Sequence, residues 1–402
     1  MHPGWYALLT ALLLTGVGIF AVSTVAGINR APSDVAVMQG KFWLPVALIA
    51  MTVCLFPHPR VLGWLSYGAL LVTIVLLIFL LLPGIPRSRV PIRNGARSWI
   101  DLGPASLQPS ELTKVAFVLA IAWYLRYRDN YRTFLGMLIP FVIMFVPVAL
   151  ILKQPDLGTA MLFAPALFAM LIAAGARLRH LAALAGLGIA AIALNIAVIA
   201  VDPPHEQGLG RAGRLPDWIH MLKPHQEKRF AAMMWPTRYE KAEAFQQITA
   251  MRMIGAGGAL GSGKDRARTL IDFNNLPEPH NDMIFAVIVS RWGAVGGMTT
   301  MALYFTLLAS MLLVAARSKD PFARLACVGF AGMIFTQAFI NIGMTLGLLP
   351  ITGITLPFVS YGGSSLVATY IMIGLTLNFA ARRPQMLARP SFEYDNADAI
   401  FQ

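Results

Sequence analysis

The run VLGWLSYGALLVTIVLLIFLLL, residues 61–82, carries no charged side chain and no sustained alternation of polar and apolar positions. At 1.5 Å rise per residue, a helix of about 20 residues crosses the roughly 30 Å hydrocarbon core of a bilayer, and this run is long enough. In lipid each backbone amide and carbonyl must be satisfied within its own segment, so the run reads as a membrane-spanning helix. Comparable runs recur outward in both directions. They lie at 5–26 and 42–56 before it, and at 112–125, 134–152, 158–174, 181–201, 284–314, 325–345 and 365–381 after it. The expectation is an all-α polytopic membrane protein with ten transmembrane helices, one domain over 1–402, and a long loop at 202–282 between the seventh and eighth helices.

Composition agrees. Of 402 residues, 57% are hydrophobic and 13% charged, and the mean hydropathy is +0.65, which excludes an ordinary soluble domain. Cys54 and Cys327 both fall inside apolar runs, so neither a disulfide framework nor a thiolate metal site is expected. The first run lacks a basic leader and is too long for a signal peptide, so it is read as retained.

Orientation follows from the cations. Arg60, Arg126, Arg128, Arg132, Arg177, Arg179, Arg317, Lys319, Arg324, Arg382, Arg383 and Arg389 occupy alternate connections, which the positive-inside rule places in the cytoplasm together with both termini. Two segments on the opposite side break that bias. One runs from Pro83 to Lys114 and holds Arg87, Arg89, Arg93 and Arg97. The other is the 202–282 loop, with Lys223, Lys228, Arg229, Arg238 and Lys241. Outward arginines fit either anionic membrane lipids or a phosphate-bearing substrate, whose oxygens suit the planar guanidinium fork.

Polar side chains at membrane depth supply the candidate site. His280, Asn281 and Asp282 stand directly before the apolar run that begins at Met283. A carboxyl at that boundary is partly withdrawn from water, which raises its pKa and suits it to accept a proton near neutrality. Glu111 and Lys114 share one helix face and are close enough to pair, as a structural ion pair would be. Lys153, Gln154 and Asp156 form a turn in which Asp156 fits a capping role. Gln337 and Asn341 face the same way and suit interhelical hydrogen bonds. In the 202–282 loop, Trp218, Met221, Leu222, Phe230, Met233, Met234 and Trp235 alternate with cations as interfacial amphipathic helices do. GAGGALGSG, residues 255–263, reads as a flexible turn, since no Lys-Ser/Thr follows to make a nucleotide loop. The tail at 390–402 reads as disordered.

Four blocks together resemble the RodA/FtsW/SpoVE (SEDS) family: NGARSWIDLGPASLQPSELTK at 94–114, KQPDLGT at 153–159, PEPHND at 277–282, and NIGM at 341–344 followed by PITGITLPFVSYGGSS at 350–365. They occur in family order across nearly the whole chain, and KQPD with LKPHQ at 222–226 leans toward the RodA branch. The resemblance implies a bacterial cytoplasmic-membrane peptidoglycan glycosyltransferase that polymerises lipid II on the outer face. It makes Asp282 the catalytic residue, and Glu111 and Lys114 part of the central cavity. Arg97 and Trp99 match the first outer loop, and Lys153, Asp156, His280, Gln337, Asn341 and Ser364 join as substrate-binding positions. The implied partners are undecaprenyl-pyrophosphate-linked glycan, membrane lipids and a class B penicillin-binding protein; nucleic acid is not among them.

Lipid II carries its sugar α-linked to pyrophosphate and the polymer is β-1,4-linked, so one inverting displacement with one base suffices. Asp282 is the expected base, with Arg97 and Lys114 offsetting charge on the leaving pyrophosphate. A divalent cation, Mg or Mn, could share that work, although no metal-ligand spacing is present and His280 reads as a hydrogen-bond partner. Two positions depart from the family pattern. Asn281 stands where Thr is usual, and Ser290 and Arg291 replace a Glu-Glu pair. Arg291 could pair with Glu111 or Asp282, or lower the pKa of Asp282. A lipid II flippase is the alternative function. A small-solute transporter lacks support, since no inverted repeat is visible.

Overall fold

The computed structural model describes residues 3–382 apart from 29–32, 84, 87, 93–95, 104–105, 129–131, 206–212, 214, 217–218, 221 and 240–243. The readings made on Arg87, Arg93, Trp218, Met221, Lys241, Arg383, Arg389 and the 390–402 tail lie outside the described residues.

In chain order the helices are α1 (Pro3–Val25), α2 (Val35–Val37), which passes through a wider turn at Met38–Trp43 into α3 (Leu44–Val53), α4 (Pro59–Leu81), α5 (Pro109–Leu125), α6 (Phe134–Lys153), α7 (Leu157–Met161) and α8 (Phe163–Ala174). They continue with α9 (Leu178–Val201), α10 (Pro224–Met234), α11 (Phe245–Gly257), α12 (Lys264–Phe273), α13 (Ile284–Arg317), α14 (Pro321–Thr345) and α15 (Gly363–Ala381). A short antiparallel hairpin of β1 (Ile100–Asp101) and β2 (Ser106–Leu107), with Ile100 opposite Leu107, interrupts the helices.

Among the described residues, nine helical stretches are long and apolar enough to cross a membrane. The chain is a multi-pass membrane protein. The run expected as a fourth span, 112–125, forms α5, which has 17 residues and is shorter than those nine. It is enclosed by protein on nearly every side, from Pro109 to Leu125. α14 and α15 are buried over most of their length, whereas α9 leaves Leu187, Ile189, Ile192 and Leu194 exposed for lipid. The core therefore gathers around α5, α14 and α15, with α1 packed along α13 and α8 along α14.

Small residues let the elements of the bundle approach. Ala7, Ala11, Gly18 and Ala21 fall on the buried face of α1, and a methyl group on Gly18 would lie 2.4 Å from the Val359 carbonyl oxygen. That contact seats the 350–362 loop against α1.

The 202–282 segment is more than a surface loop. Phe230, Met234 and Trp235 of α10 pack against a protein cluster of Ile199, Ala231, Ala232, Tyr239 and Ala244. The glycine-rich stretch at 255–263 is no free turn either. It docks backbone to backbone against α13: Ser262 N donates to Ser290 O (3.0 Å), Gly263 N to Arg291 O (3.1 Å), and Ala294 N to Gly258 O (2.9 Å). Side chains are excluded there. A Cβ on Gly257, Gly261 or Gly293 would fall 2.2 Å from the opposing carbonyl oxygen.

Gly293 also breaks α13. Its φ of 71° and ψ of −169° lie in a region essentially closed to other residues. The part after the break, 294–317, is about 36 Å long at 1.5 Å per residue and spans a bilayer by itself. The part before it, 284–292, is a separate short helix, buried all round from Ile284 to Ser290.

Candidate active site

A cavity of about 1250 Å³ opens at the end of the bundle that carries the 202–282 segment. Asp282, Glu111, Asp156, His280, Gln337 and Trp99 line it, so residues from four distant blocks of sequence meet at one place.

Asp282 ends the loop that leads into α13. Its Oδ2 accepts a hydrogen bond from Gln246 Nε2 at 3.2 Å, while Oδ1 has no partner among the described residues. Behind it, Asn341 Nδ2 donates to the Asp282 carbonyl (2.9 Å) and to Ile354 O (2.6 Å), fixing the backbone between α14 and the 350–362 loop. Gly353, at φ +73°, faces the carboxylate, and a methyl group there would sit 4.0 Å from Oδ2. Burial pushes the Asp282 carboxyl up to about 7; Glu278 adds to the rise, and the Asp282 amide, Gln246 and Arg229 oppose it. The group therefore changes protonation near neutrality, as a general base requires.

Glu111 and Lys114 form the expected pair, Nζ to Oε2 at 2.8 Å, in the first two turns of α5. Lys114 Nζ also donates to Gln337 Oε1 at 2.9 Å, and Gln337 Nε2 to Thr355 O at 3.0 Å. Glu111 reaches the cavity wall, whereas Lys114 is wholly buried behind it. Asp156 caps α7, accepting from Thr159 N (2.9 Å) and Thr159 Oγ1 (2.8 Å), and also accepts from Gln108 Nε2 (3.3 Å). Burial raises its pKa and the two Thr159 bonds oppose that rise. His280 lies 3.7 Å from Glu278, and burial lowers its pKa, which leaves the ring neutral at pH 7.

Besides Lys114, four sequence candidates stand away from the lining. Arg97 Nη2 donates to Ile85 O at 3.2 Å. Lys153 is exposed at the end of α6. Ser364 Oγ accepts from Gln108 N (3.1 Å) and donates to Ser106 O (2.9 Å), tying the hairpin to α15. Asn341 is fully buried and acts through backbone, so its hydrogen bonds hold the loop and do not cross to another helix's side chains.

Arg291 pairs with neither Glu111 nor Asp282, and it does not contribute to the Asp282 shift. Its Nη1 donates to Phe20 O (2.6 Å) and Thr24 Oγ1 (2.8 Å) near the end of α1, and its guanidinium lies 4.4 Å from the Trp292 ring. The negative C-terminal end of the α1 dipole attracts a cation. Arg229, one of the outward cations of the 202–282 segment, and Glu278, of the 277–282 block, also join the lining; so does Gln246, which nothing in its sequence surroundings distinguishes from other polar loop residues. Among the described residues no three His, Cys, Asp or Glu side chains gather as a metal site.

A family model described as cell cycle protein FtsW/RodA/SpoVE matches residues 4–385. The curated relatives include a probable peptidoglycan glycosyltransferase FtsW of Mycobacterium tuberculosis, 33% identical over 94% of this chain and 68% of that protein. Stage V sporulation protein E of Bacillus subtilis is 34% identical over 78% of this chain and 79% of its own. Peptidoglycan glycosyltransferase MrdB of Escherichia coli K12 is 29% identical, covering 93% and 94%. Among solved structures, a chain reported with the structural coordination of polymerization and crosslinking by a peptidoglycan synthase complex superposes with TM-score 0.75 at 29% identity, covering 95% of this chain and 98% of that one. RodA of Thermus thermophilus superposes with TM-score 0.66 at 26% identity, covering 95% and 97%. The chain belongs to the FtsW/RodA/SpoVE family.

Proposed function

We propose that this member of the FtsW/RodA/SpoVE family is a peptidoglycan glycosyltransferase that polymerises lipid II into β-1,4-linked glycan by inversion. One observation carries the reading: a buried carboxyl, Asp282, at the wall of a large cavity, with one oxygen unpartnered and a pKa pushed up to about 7. In its ionised form Asp282 takes the proton from the acceptor sugar hydroxyl. The hydroxyl oxygen attacks the anomeric carbon, a C–O bond forms on the face opposite the pyrophosphate, and the undecaprenyl pyrophosphate leaves with the bonding electrons. Asn341 and Gly353 keep the base in place and keep space open in front of it. The Glu111–Lys114 pair sets a fixed dipole in the wall of the same cavity.

The reading supports an active site on the outer face of the bacterial cytoplasmic membrane. Asn341, which touches the Asp282 backbone, is twenty positions along α14 from Pro321, or about 30 Å at 1.5 Å per residue. The Pro321 end lies beside Arg317, Lys319 and Arg382, the cations that the positive-inside rule assigns to the cytoplasm. A class B penicillin-binding protein, which would cross-link the strands, fits as partner, since the solved complex that this chain resembles combines polymerization with crosslinking. A divalent cation, Mg or Mn, would be shared between the substrate's pyrophosphate oxygens and one or two of the cavity carboxylates, since among the described residues no three such side chains gather.

Purified protein, with and without its partner, incubated with fluorescent lipid II tests the proposal. Glycan strands made by the unaltered chain and lost in Asp282→Asn support it. Lipid II translocation without polymer would favour the flippase instead.

A further inference from the structure

The cavity wall is rich in carboxylates, with Asp101, Glu111, Asp156, Glu278 and Asp282 all contributing. That is a poor setting for a substrate whose leaving group is a pyrophosphate, unless cations face it. Two cations that sequence would nominate are not in the lining. Lys114 is held between Glu111 and Gln337 and is fully buried, and the Arg97 guanidinium is turned to the Ile85 carbonyl. Among the described lining residues a single Lys or Arg remains, Arg229 of α10. No described hydrogen bond or ion pair takes up its guanidinium.

α10 is anchored on the side away from that guanidinium. Lys223 N donates to Gln226 Oε1 (3.1 Å), closing the helix start. Glu227 Oε1 meets His220 Nδ1 at 2.8 Å, and His220 Nε2 lies 3.3 Å from Asp202 at the end of α9, with all three side chains out of contact with water. Two residues on from Glu227, Arg229 is rotated by about 200° around the helix, so it projects from the face opposite this anchor. The anchor fixes one side of α10 and the other side delivers a guanidinium to the cavity.

We propose that Arg229 binds the pyrophosphate of the lipid-linked substrate and stabilises it as it departs. The proposal deepens the polymerase reading and rests on it for the identity of the leaving group. A planar fork with several donors fits two phosphate oxygens at once, and a cation already in the cavity meets the charge where it develops. Arg229 also faces His225 one turn earlier, where burial, Arg229 and Lys223 lower the imidazole pKa, so no second cation competes for the anion from that position.

The test separates binding from chemistry. In full-length protein carrying Asp282→Asn, inorganic pyrophosphate is expected to raise the thermal unfolding midpoint, and adding Arg229→Ala should abolish the shift. In otherwise unaltered protein, Arg229→Ala is expected to lower kcat/KM for lipid II by about 100-fold, on the scale of losing one donor to a developing anion. Arg229→Lys should recover part of that loss, and free guanidinium should partly rescue Arg229→Ala but not Asp282→Asn. The acid limb of the pH profile of Arg229→Ala should move upward, because a cation near the base has been removed. Pyrophosphate stabilising the Arg229→Ala protein as well as the parent would overturn the assignment, whatever the polymerase assay shows. Polymer made by Asp282→Asn would instead overturn the function and leave the pyrophosphate result standing.

Discussion

Two buried carboxylates share one cavity and are treated in opposite ways. Glu111, on α5, is matched by Lys114 at 2.8 Å, and Lys114 is matched in turn by Gln337, which is anchored on Thr355. Asp282, at the head of α13, has one hydrogen bond from Gln246, an unpartnered second oxygen, and a pKa pushed up to about 7 by burial. The helical wall holds a carboxylate paired with a lysine, and the loop holds an acid with no cation in contact. The difference teaches where chemistry can happen. A buried carboxylate beside its own counter-ion is held in place by that charge, whereas a desolvated one with no cation in contact is ready to take a proton.

The largest expected contrast is in rate. Asp282→Asn should lower polymerisation of lipid II by roughly 10²–10⁴-fold, the range for loss of a general base, with the protein still folded by size-exclusion chromatography. Retained strand synthesis would erase the distinction between the two sites. Next comes Lys114→Ala, which leaves Glu111 buried without its counter-charge and should destabilise the protein by about 3–5 kcal/mol. Thermal unfolding of Lys114→Ala against Lys114→Ala/Glu111→Ala reads this, and the double variant should recover most of the loss.

The third contrast is in stability against pH. Unfolded, Asp282 ionises near 3.8, and folded it ionises near 7, so the folded chain holds the extra proton between those values. Stability from this group therefore falls as pH rises from about 4 to 7 and stays reduced above it. Asp282→Asn should be no more stable than the parent at pH 4 and more stable at pH 8, by at most roughly 4 kcal/mol. Polymerisation by the parent should rise through pH 7 over the same interval. Smaller still, Arg291→Ala should destabilise by about 1–3 kcal/mol through loss of its bonds to α1, with the midpoint of the pH–rate profile unchanged. Gln246→Leu should give the smallest effect, an upward move of that midpoint, since Gln246 favours the ionised carboxylate.

The spans were legible because lipid leaves an apolar helix no other option, and residues of all four motif blocks meet at the cavity. What was hidden has physical causes. α5 is short of apolar length because protein surrounds it, and its first turns spend positions on Glu111 and Lys114. Arg291 invites pairing with an acid, yet its acceptors are a backbone carbonyl and a threonine hydroxyl on α1, which no residue pattern announces. Arg97 is similar: its guanidinium is taken by a carbonyl of its own loop. The glycines at 255–263 read as freedom because composition cannot separate a mobile turn from one where another backbone passes too close for a Cβ. Phe230 and Trp235 looked like lipid anchors, since an apolar side chain carries no sign of whether protein or membrane will cover it.

The break at Gly293 turns the 284–292 helix into a stalk standing on the membrane helix, clamped along its side by the glycine seam and topped by the reactive acid. Such a stalk behaves like a key cut to a set depth: adding or deleting one residue within it would swing the carboxyl about 100° around the axis and 1.5 Å along it. Length in that short stretch should consequently be far less forgiving than side-chain identity, so tolerance scans there would show substitutions surviving where single-residue indels fail.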